Sequence, residues 1–365
     1  MNNIFIQLAI ILGLSSLVGY LTKLFKLPLL IAYLIVGLIL AITLSFNITN
    51  GGVLSFLPEI GIAFMLFLVG MELDLRELKS FGKPIITAGV LQIIITTVFG
   101  TFIAQSFNFS LVEAIYLGVG LSFSSTIVVV KLLGDKKDLN SLYGKISIGV
   151  LLLEDLLAVV ILLGLTSSVP IPSFMGKVLI LLVMALLLNR FILGAVFKAV
   201  SESGELLFLT ALAWCFIFTS FAQILGFSVL IGAFLAGISL ANSPYHYQIQ
   251  GKVRPIRDFF VALFFVYLGT RVDFGLMHQT LPLILVFTAY ALLLKPLIFL
   301  LIFGIFGFRK HTMFQSAINM SQISEFSLII LLVGVKEGLT SPAGLTVIAS
   351  SWVLSILISS FIHIF

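Results

Sequence analysis

Long apolar runs separated by short polar punctuation set the pattern of this chain. The runs are about 20 residues long, enough as α-helix to cross a hydrocarbon layer of roughly 30 Å. They predict thirteen spans, at roughly 4–22, 29–45, 53–71, 84–106, 111–132, 142–166, 173–197, 205–222, 226–242, 256–272, 280–307, 312–335 and 343–364. The first run follows Met1-Asn2-Asn3, without a basic flank or an A-x-A cleavage site, and reads as a retained span rather than a signal peptide.

Two of the spans are interrupted. Span five carries Gly118, Gly120 and the polar run Ser122-Phe123-Ser124-Ser125-Thr126. Span twelve carries Asn319-Met320-Ser321-Gln322-Ile323-Ser324-Glu325. An offset of seven spans is odd, so the two enter the membrane in opposite directions. Paired, polar-interrupted segments in corresponding positions point to an inverted-repeat secondary transporter with its site at the breaks. Taken singly, each span also reads as an ordinary helix whose hydroxyls bond back to its own carbonyls. The predicted class is an all-α polytopic membrane protein of about 13 transmembrane helices with inverted repeats.

Composition sharpens this picture. The 365 residues are 60% hydrophobic and 10% charged, against about 25% charge in a soluble domain. Mean hydropathy is +1.25. A single cysteine, Cys215, excludes a disulfide framework and Cys-rich metal sites. No G-x-x-x-x-G-K-[ST] occurs and no extramembrane nucleotide-binding domain has room, so ATP-driven transport by this chain alone is not expected. The reading is a transporter, not an enzyme, with no cofactor. A pI near 9.3 reflects basic loops rather than a nucleic-acid partner. Placing the N-terminus outside puts sixteen of the 20 Lys and Arg on the cytoplasmic side, among them Lys23, Lys26, Arg76, Lys79, Arg190, Lys252, Arg254 and Arg257. Lys177, Arg271 and Lys336 fall outside, and Lys295 lies within a span. The C-terminus is then cytoplasmic, by the positive-inside rule.

Ionisable groups at membrane depth need a partner, a water path or a function. Glu154-Asp155 lies mid-span six; adjacent residues sit about 100° apart on a helix, so both can border one cavity. Two carboxylates in low dielectric titrate as a coupled pair and can hold either protons or a small cation. Lys295 lies mid-span eleven, too deep to reach an interface, and Pro296 loosens the helix beside it. It is the natural partner for a membrane carboxylate, in a static ion pair or a functional one. Glu325 follows the span-twelve break, where a half-helix N-terminus favours negative charge; structural compensation and a direct ion role are both open. Glu59 and Glu113 read as interfacial or structural. His246, His278, His311 and His363 read as loop or terminal residues without a proton role.

These residues stand in motifs that together resemble the monovalent cation:proton antiporters of the Kef type, relatives of the sodium/proton exchangers. The motifs run from Lys26-Leu27-Pro28-Leu29-Leu30-Ile31-Ala32-Tyr33-Leu34-Ile35-Val36-Gly37 and Phe67-Leu68-Val69-Gly70-Met71-Glu72-Leu73-Asp74 through Ser124-Ser125-Thr126 and Glu154-Asp155. They continue with Gly232-Ala233-Phe234-Leu235-Ala236-Gly237, Pro255-Ile256-Arg257-Asp258-Phe259-Phe260, Lys295, Ser321-Gln322 and Glu325-Phe326. The resemblance implies a single transporter domain of two lobes: a dimerisation scaffold of 1–71 and 205–272, an ion-binding core of 84–166 and 280–364, and a linker helix, 173–197. The unwound middles of spans five and twelve would cross beside Asp155. Asp155 would be the ion- and proton-binding carboxylate, helped by Glu154, Ser125 and Thr126, with Lys295, Glu325 and Gln322 compensating charge. The substrates implied are H+ and a monovalent cation, K+ or Na+, held by Asp155 and Glu154. A homodimer in the cell membrane, working by an elevator-like shift, completes the expectation.

Two departures stand out. Kef-type systems typically carry Gln before the aspartate, and this chain carries Glu154; the second carboxylate either takes an extra proton or binds Lys295 in the ion-free state. Potassium-selective members often append a cytoplasmic nucleotide-binding domain, whereas this chain stops at Phe365. That leaves a separate cytoplasmic regulatory subunit, a truncated chain, or no regulation. The competing readings are a channel-like cation uniporter, a non-transporting membrane sensor on the same scaffold, and a carboxylate or bile-acid-type sodium symporter. The carboxylate pair and Lys295 argue against a simple pore, and the Gln322/Glu325 motif argues against the symporter.

Overall fold

A computed structural model describes residues 4–25, 27–44, 57–72, 82–165, 171–188, 193–241 and 243–364. Among them the regular structure is helical, with no strand. In chain order the helices are α1 Ile4–Leu24, α2 Leu29–Leu44, α3 Leu57–Glu72, α4 Gly82–Ser106, α5 Leu111–Ser122, α6 Thr126–Asp135, α7 Leu142–Leu165, α8 Ile171–Leu188 and α9 Gly194–Val200. They continue with α10 Gly204–Ile224, α11 Val229–Ala241, α12 His246–Arg271, α13 Phe274–Ala289, α14 Lys295–Ile305, α15 Lys310–Asn319, α16 Glu325–Lys336 and α17 Pro342–Ile364. A π-helical turn, Tyr290–Leu294, joins α13 to α14. Described helix is found at each of the thirteen predicted spans. Among the described residues six stretches, including Gly82–Ser106, Leu111–Asp135 and Gly275–Ile305, are long and apolar enough to cross a membrane unaided. Large apolar side chains such as Phe5, Ile224 and Ile305 are exposed, as lipid-facing residues are.

The helix ends follow from local chemistry. Ser110, Ser203 and Asp273 cap α5, α10 and α13 by accepting backbone N–H bonds in the first turn. After α14 and α16 the chain turns at Gly307 and Gly338, both in the left-handed region that glycine adopts without strain.

The chain divides into two compact units. One comprises Met1–Ile11, Phe46–Asp74 and Ile161–Tyr267. Within it α11 packs against α3 and α10. The α3 and α11 backbones touch at glycine: a Cβ at Gly237 would strike Phe67 O and lie 3.0 Å from Met71 N. Trp214 Nε1 donates to Ser239 Oγ at 2.8 Å, and Arg254 pairs with Glu72 at 2.9 Å. The other unit comprises Leu12–Ser45, Leu75–Val160 and Leu268–Phe365. Here α4 packs on α5, α13 on α17 and α16 on α5. Its buried cluster includes Ile85, Val129, Val150, Phe299, Phe303 and Met320.

Two local expectations are corrected. The helix that carries span ten begins at His246, ahead of the predicted span at 256, because buried Ile249 and Val253 pack the extra turns and outweigh the helix bond lost at Pro255. Three histidines read as loop residues lie on helices, His246 opening α12, His278 in α13 and His311 in α15, while His363 is terminal, at the end of α17. The predicted span seven comprises α8 and α9, with Arg190 between them outside the described residues. Lys26, Leu73 and Asp74 of the motifs, with Arg76 and Lys79, also lie outside them.

Candidate functional site

The polar runs of spans five and twelve break their helices. Between α5 and α6 the chain unwinds at Phe123-Ser124-Ser125, and between α15 and α16 at Met320 to Ser324. Unwound backbone at membrane depth must find partners outside its own helix. The breaks supply some to each other: Ser324 N–H donates to Phe123 O at 3.1 Å, and Ser124 Oγ donates to Met320 O at 3.5 Å. Each following half-helix starts on a serine cap. Ser125 Oγ accepts from Val128 N, and Ser324 Oγ accepts from Phe326 N.

The predicted site residues gather around this crossing, all within one compact unit. Glu154 and Asp155 of α7 are buried. Glu154 Oε2 accepts from Ser124 N–H at 2.7 Å, and Asp155 Oδ2 accepts from Thr126 Oγ1 at 2.9 Å. Ser125 Oγ donates to Glu325 Oε2 at 3.0 Å. Glu325 is the first residue of α16, where the helix dipole favours its charge. Lys295, wholly buried, follows the π-helical turn and donates from Nζ to Gln322 O at 3.1 Å. Its ammonium and the Glu154 carboxylate attract each other electrostatically. Gln322 is itself wholly buried. Glu113 lies apart, accepting from Ser341 N–H at 2.8 Å and from its hydroxyl, and so ties the start of α5 to that of α17. Glu59 lies in the first turn of α3.

Residues not singled out from sequence complete the scaffold. Gln92 of α4 is wholly buried; its Nε2 donates to Ser122 O at 3.0 Å and to Thr96 Oγ1 at 3.1 Å, so it covers the last carbonyl before the first break. Its signal was available, a glutamine among Val90, Leu91, Ile93 and Ile94. Asn319 Nδ2 donates to Ser147 Oγ at 3.1 Å, and Ile323 N–H to Ser355 Oγ at 3.2 Å. Serines 147 and 355 carried no such signal, since span serines commonly bond back within their own helix.

This arrangement presents carboxylate and hydroxyl oxygens, suited to a hard monovalent cation or a proton. Among the described residues no group of three or more His, Cys, Asp or Glu forms a metal cluster. Discontinuous helices whose breaks meet beside buried carboxylates are the build of a secondary membrane transporter. The chain belongs to the transmembrane sodium/hydrogen exchanger family, which it matches over residues 12–364. It is 27% identical over 368 residues to a protein of Alkalimonas amylolytica assigned as the K+ efflux antiporter KefB, covering 98% of this chain and 56% of that one. To the Na+/H+ antiporter of Enterococcus hirae it is 27% identical over 376 residues, covering 97% of each chain. The solved structure of the sodium proton antiporter MjNhaP1 from Methanocaldococcus jannaschii shares the fold, with a TM-score of 0.74 at 16% identity over 99% of this chain and 96% of that one. The protein is thus an integral membrane protein of antiporter fold. The chain spans about half the length of the Alkalimonas relative.

Proposed function

We propose that this chain exchanges a monovalent cation, K+ or Na+, for protons by alternating access, with Asp155 as the carboxylate that binds either. The observation that carries the reading is the Thr126–Asp155 bond at the meeting of two broken helices, in a chain of the exchanger family. A proton on Asp155 or a partly dehydrated cation ligated by it, by Glu154 and by the Ser125 and Thr126 hydroxyls are mutually exclusive occupants. With neither present, the carboxylates would carry uncompensated negative charge through a low-dielectric barrier, which costs several kcal/mol. The transmembrane field adds only about 2.3 kcal/mol per charge per 100 mV. Only loaded forms therefore cross, and exchange is coupled. Lys295, Glu325 and Gln322 compensate charge around the crossing.

The same proposal includes a homodimer built on a scaffold of 1–71 and 205–272, a mobile core of 84–166 and 280–364, and the 173–197 linker. It places the protein in the cell membrane with the N-terminus outside and the C-terminus cytoplasmic, where a separate regulatory subunit would act. Purified protein in liposomes holding an imposed pH gradient provides the test. Added Na+ or K+ dissipates the gradient with the wild type and not with Asp155→Asn. Persistent exchange in a folded Asp155→Asn variant removes Asp155 from the site. No proton response to either cation overturns antiport.

A further inference from the structure

Gln322 occupies the middle of the second break and is wholly buried, yet neither Oε1 nor Nε2 has a hydrogen-bond partner. A buried carboxamide left without partners is among the costlier defects a fold can carry. Its surroundings are otherwise well bonded. Its own carbonyl accepts from Lys295, the next N–H is taken by Ser355, and Met320 O accepts from Ser124. At the two breaks the side chains of Ser124, Ser125, Thr126, Ser324 and Glu325 make hydrogen bonds. Two further buried polar atoms at the crossing share the condition of the carboxamide, Gln92 Oε1 and Glu154 Oε1. The other oxygen of Glu154, Oε2, is held by Ser124 N–H. Gln322 and Glu154 each carry an unpartnered acceptor oxygen, and Lys295 interacts with both residues, bonding the backbone carbonyl of one and attracting the carboxylate of the other.

We propose that Gln322 is a specificity-determining residue: its Oε1 ligates the transported monovalent cation together with the carboxylates of α7, and its Nε2 donates to Glu154 Oε1 when the cation has left. The inference rests on the antiport reading above and deepens it. An amide oxygen is a neutral, hard ligand suited to replacing part of the hydration shell of Na+ or K+ without adding charge. The amide also carries two donors, so the same side chain can satisfy a carboxylate oxygen in the cation-free form. The reach of the side chain, set by its two methylenes, then helps to set which ion fits.

The test uses the full chain in liposomes, with K+ and Na+ as probes. Gln322→Leu removes both polar atoms from an apolar interior, and Gln322→Asn keeps the amide on a shorter stem. Expected are a rise of about tenfold or more in half-maximal cation concentration for Gln322→Leu, with a smaller change in maximal rate, and a changed K+/Na+ preference for Gln322→Asn. Added cation is expected to raise the thermal stability of the wild type more than that of Gln322→Leu. If Gln322→Leu does not fold, the Gln322→Asn ratio decides. A half-maximal concentration and an ion preference both within about twofold of wild type, in variants that fold, overturn the inference. Asp155→Asn run in parallel keeps the two readings apart. If it is inactive while the Gln322 variants match wild type, only the role of Gln322 falls; if it is active, the antiport site itself is misplaced.

Discussion

Lys295 and Glu154 are buried opposite charges that attract each other without standing within ion-pair distance, and the strength of that attraction can be measured. Both are wholly buried, on α14 and α7, and each also holds an unwound backbone group: Lys295 Nζ bonds Gln322 O, and Glu154 Oε2 bonds Ser124 N–H. Lys295→Met leaves the Glu154 carboxylate without its opposite charge; Glu154→Leu does the same to the ammonium. Breaking a buried pair from one side costs about 3–5 kcal/mol. If the two groups acted independently, the double variant would lose the sum, about 6–10 kcal/mol. It contains no uncompensated charge, however. What it retains is an orphaned Ser124 N–H and an orphaned Gln322 carbonyl, about 1–3 kcal/mol each. The midpoints of those two sums, about 8 and about 4 kcal/mol, leave an expected coupling energy of about 4 kcal/mol. The assay is an equilibrium unfolding titration in mixed micelles on the wild type, both single variants and the double. Additivity within about 0.5 kcal/mol would refute the pairing and leave Lys295 as a carbonyl-binding residue alone.

Two further outcomes follow from the same coordinates. Thr126→Val keeps the β-branched shape and deletes the hydrogen bond to Asp155. A bond to a charged group is worth about 1.5–3 kcal/mol, so half-maximal cation concentration should rise roughly ten- to hundredfold in the liposome assay, and an unchanged value would detach Thr126 from the site. Gly237→Ala sets a Cβ against the α3 backbone at Phe67 and Met71, which no side-chain rotation relieves; unfolding should show a loss of about 1–3 kcal/mol, and a neutral result would mean that α3 and α11 pack less closely than described.

The spans and the two breaks were legible because hydrocarbon tolerates few polar residues, so Ser122 to Thr126 and Asn319 to Glu325 stand out against apolar neighbours. Glu154, Asp155 and Lys295 stood out for the same reason. Their bonding partners were harder to read. Hydropathy says that Glu154 needs compensation, but not that Ser124 N–H supplies part of it, since a backbone group has no sequence signature. The π-helical turn before Lys295 was hidden, because Tyr290 to Leu294 is ordinary apolar helix in composition and only Pro296 hinted at irregularity. The turns of α12 before position 256 were not legible either, since they are largely polar, and buried Ile249 and Val253 carry the helix through Pro255 despite one lost bond.

The bonding of the breaks divides the polar residues by consequence. Ser122 O is covered by Gln92, Phe123 O by Ser324 N–H, Ser124 N–H by Glu154, Gln322 O by Lys295 and Ile323 N–H by Ser355. Each partner comes from a different helix from the group it satisfies, so two unwound segments that would be costly alone are stable only as an assembled set. Glu154 and Lys295 are therefore part of the structural frame as well as the electrostatics, and their variants should lose stability and exchange together. The Thr126–Asp155 bond joins two side chains and involves no backbone group. Its loss unpicks the backbone bonds of neither break. Loss of exchange with the fold intact is accordingly the signature expected of Asp155 and Thr126 variants, and that separation lets transport be tested at this crossing independently of folding.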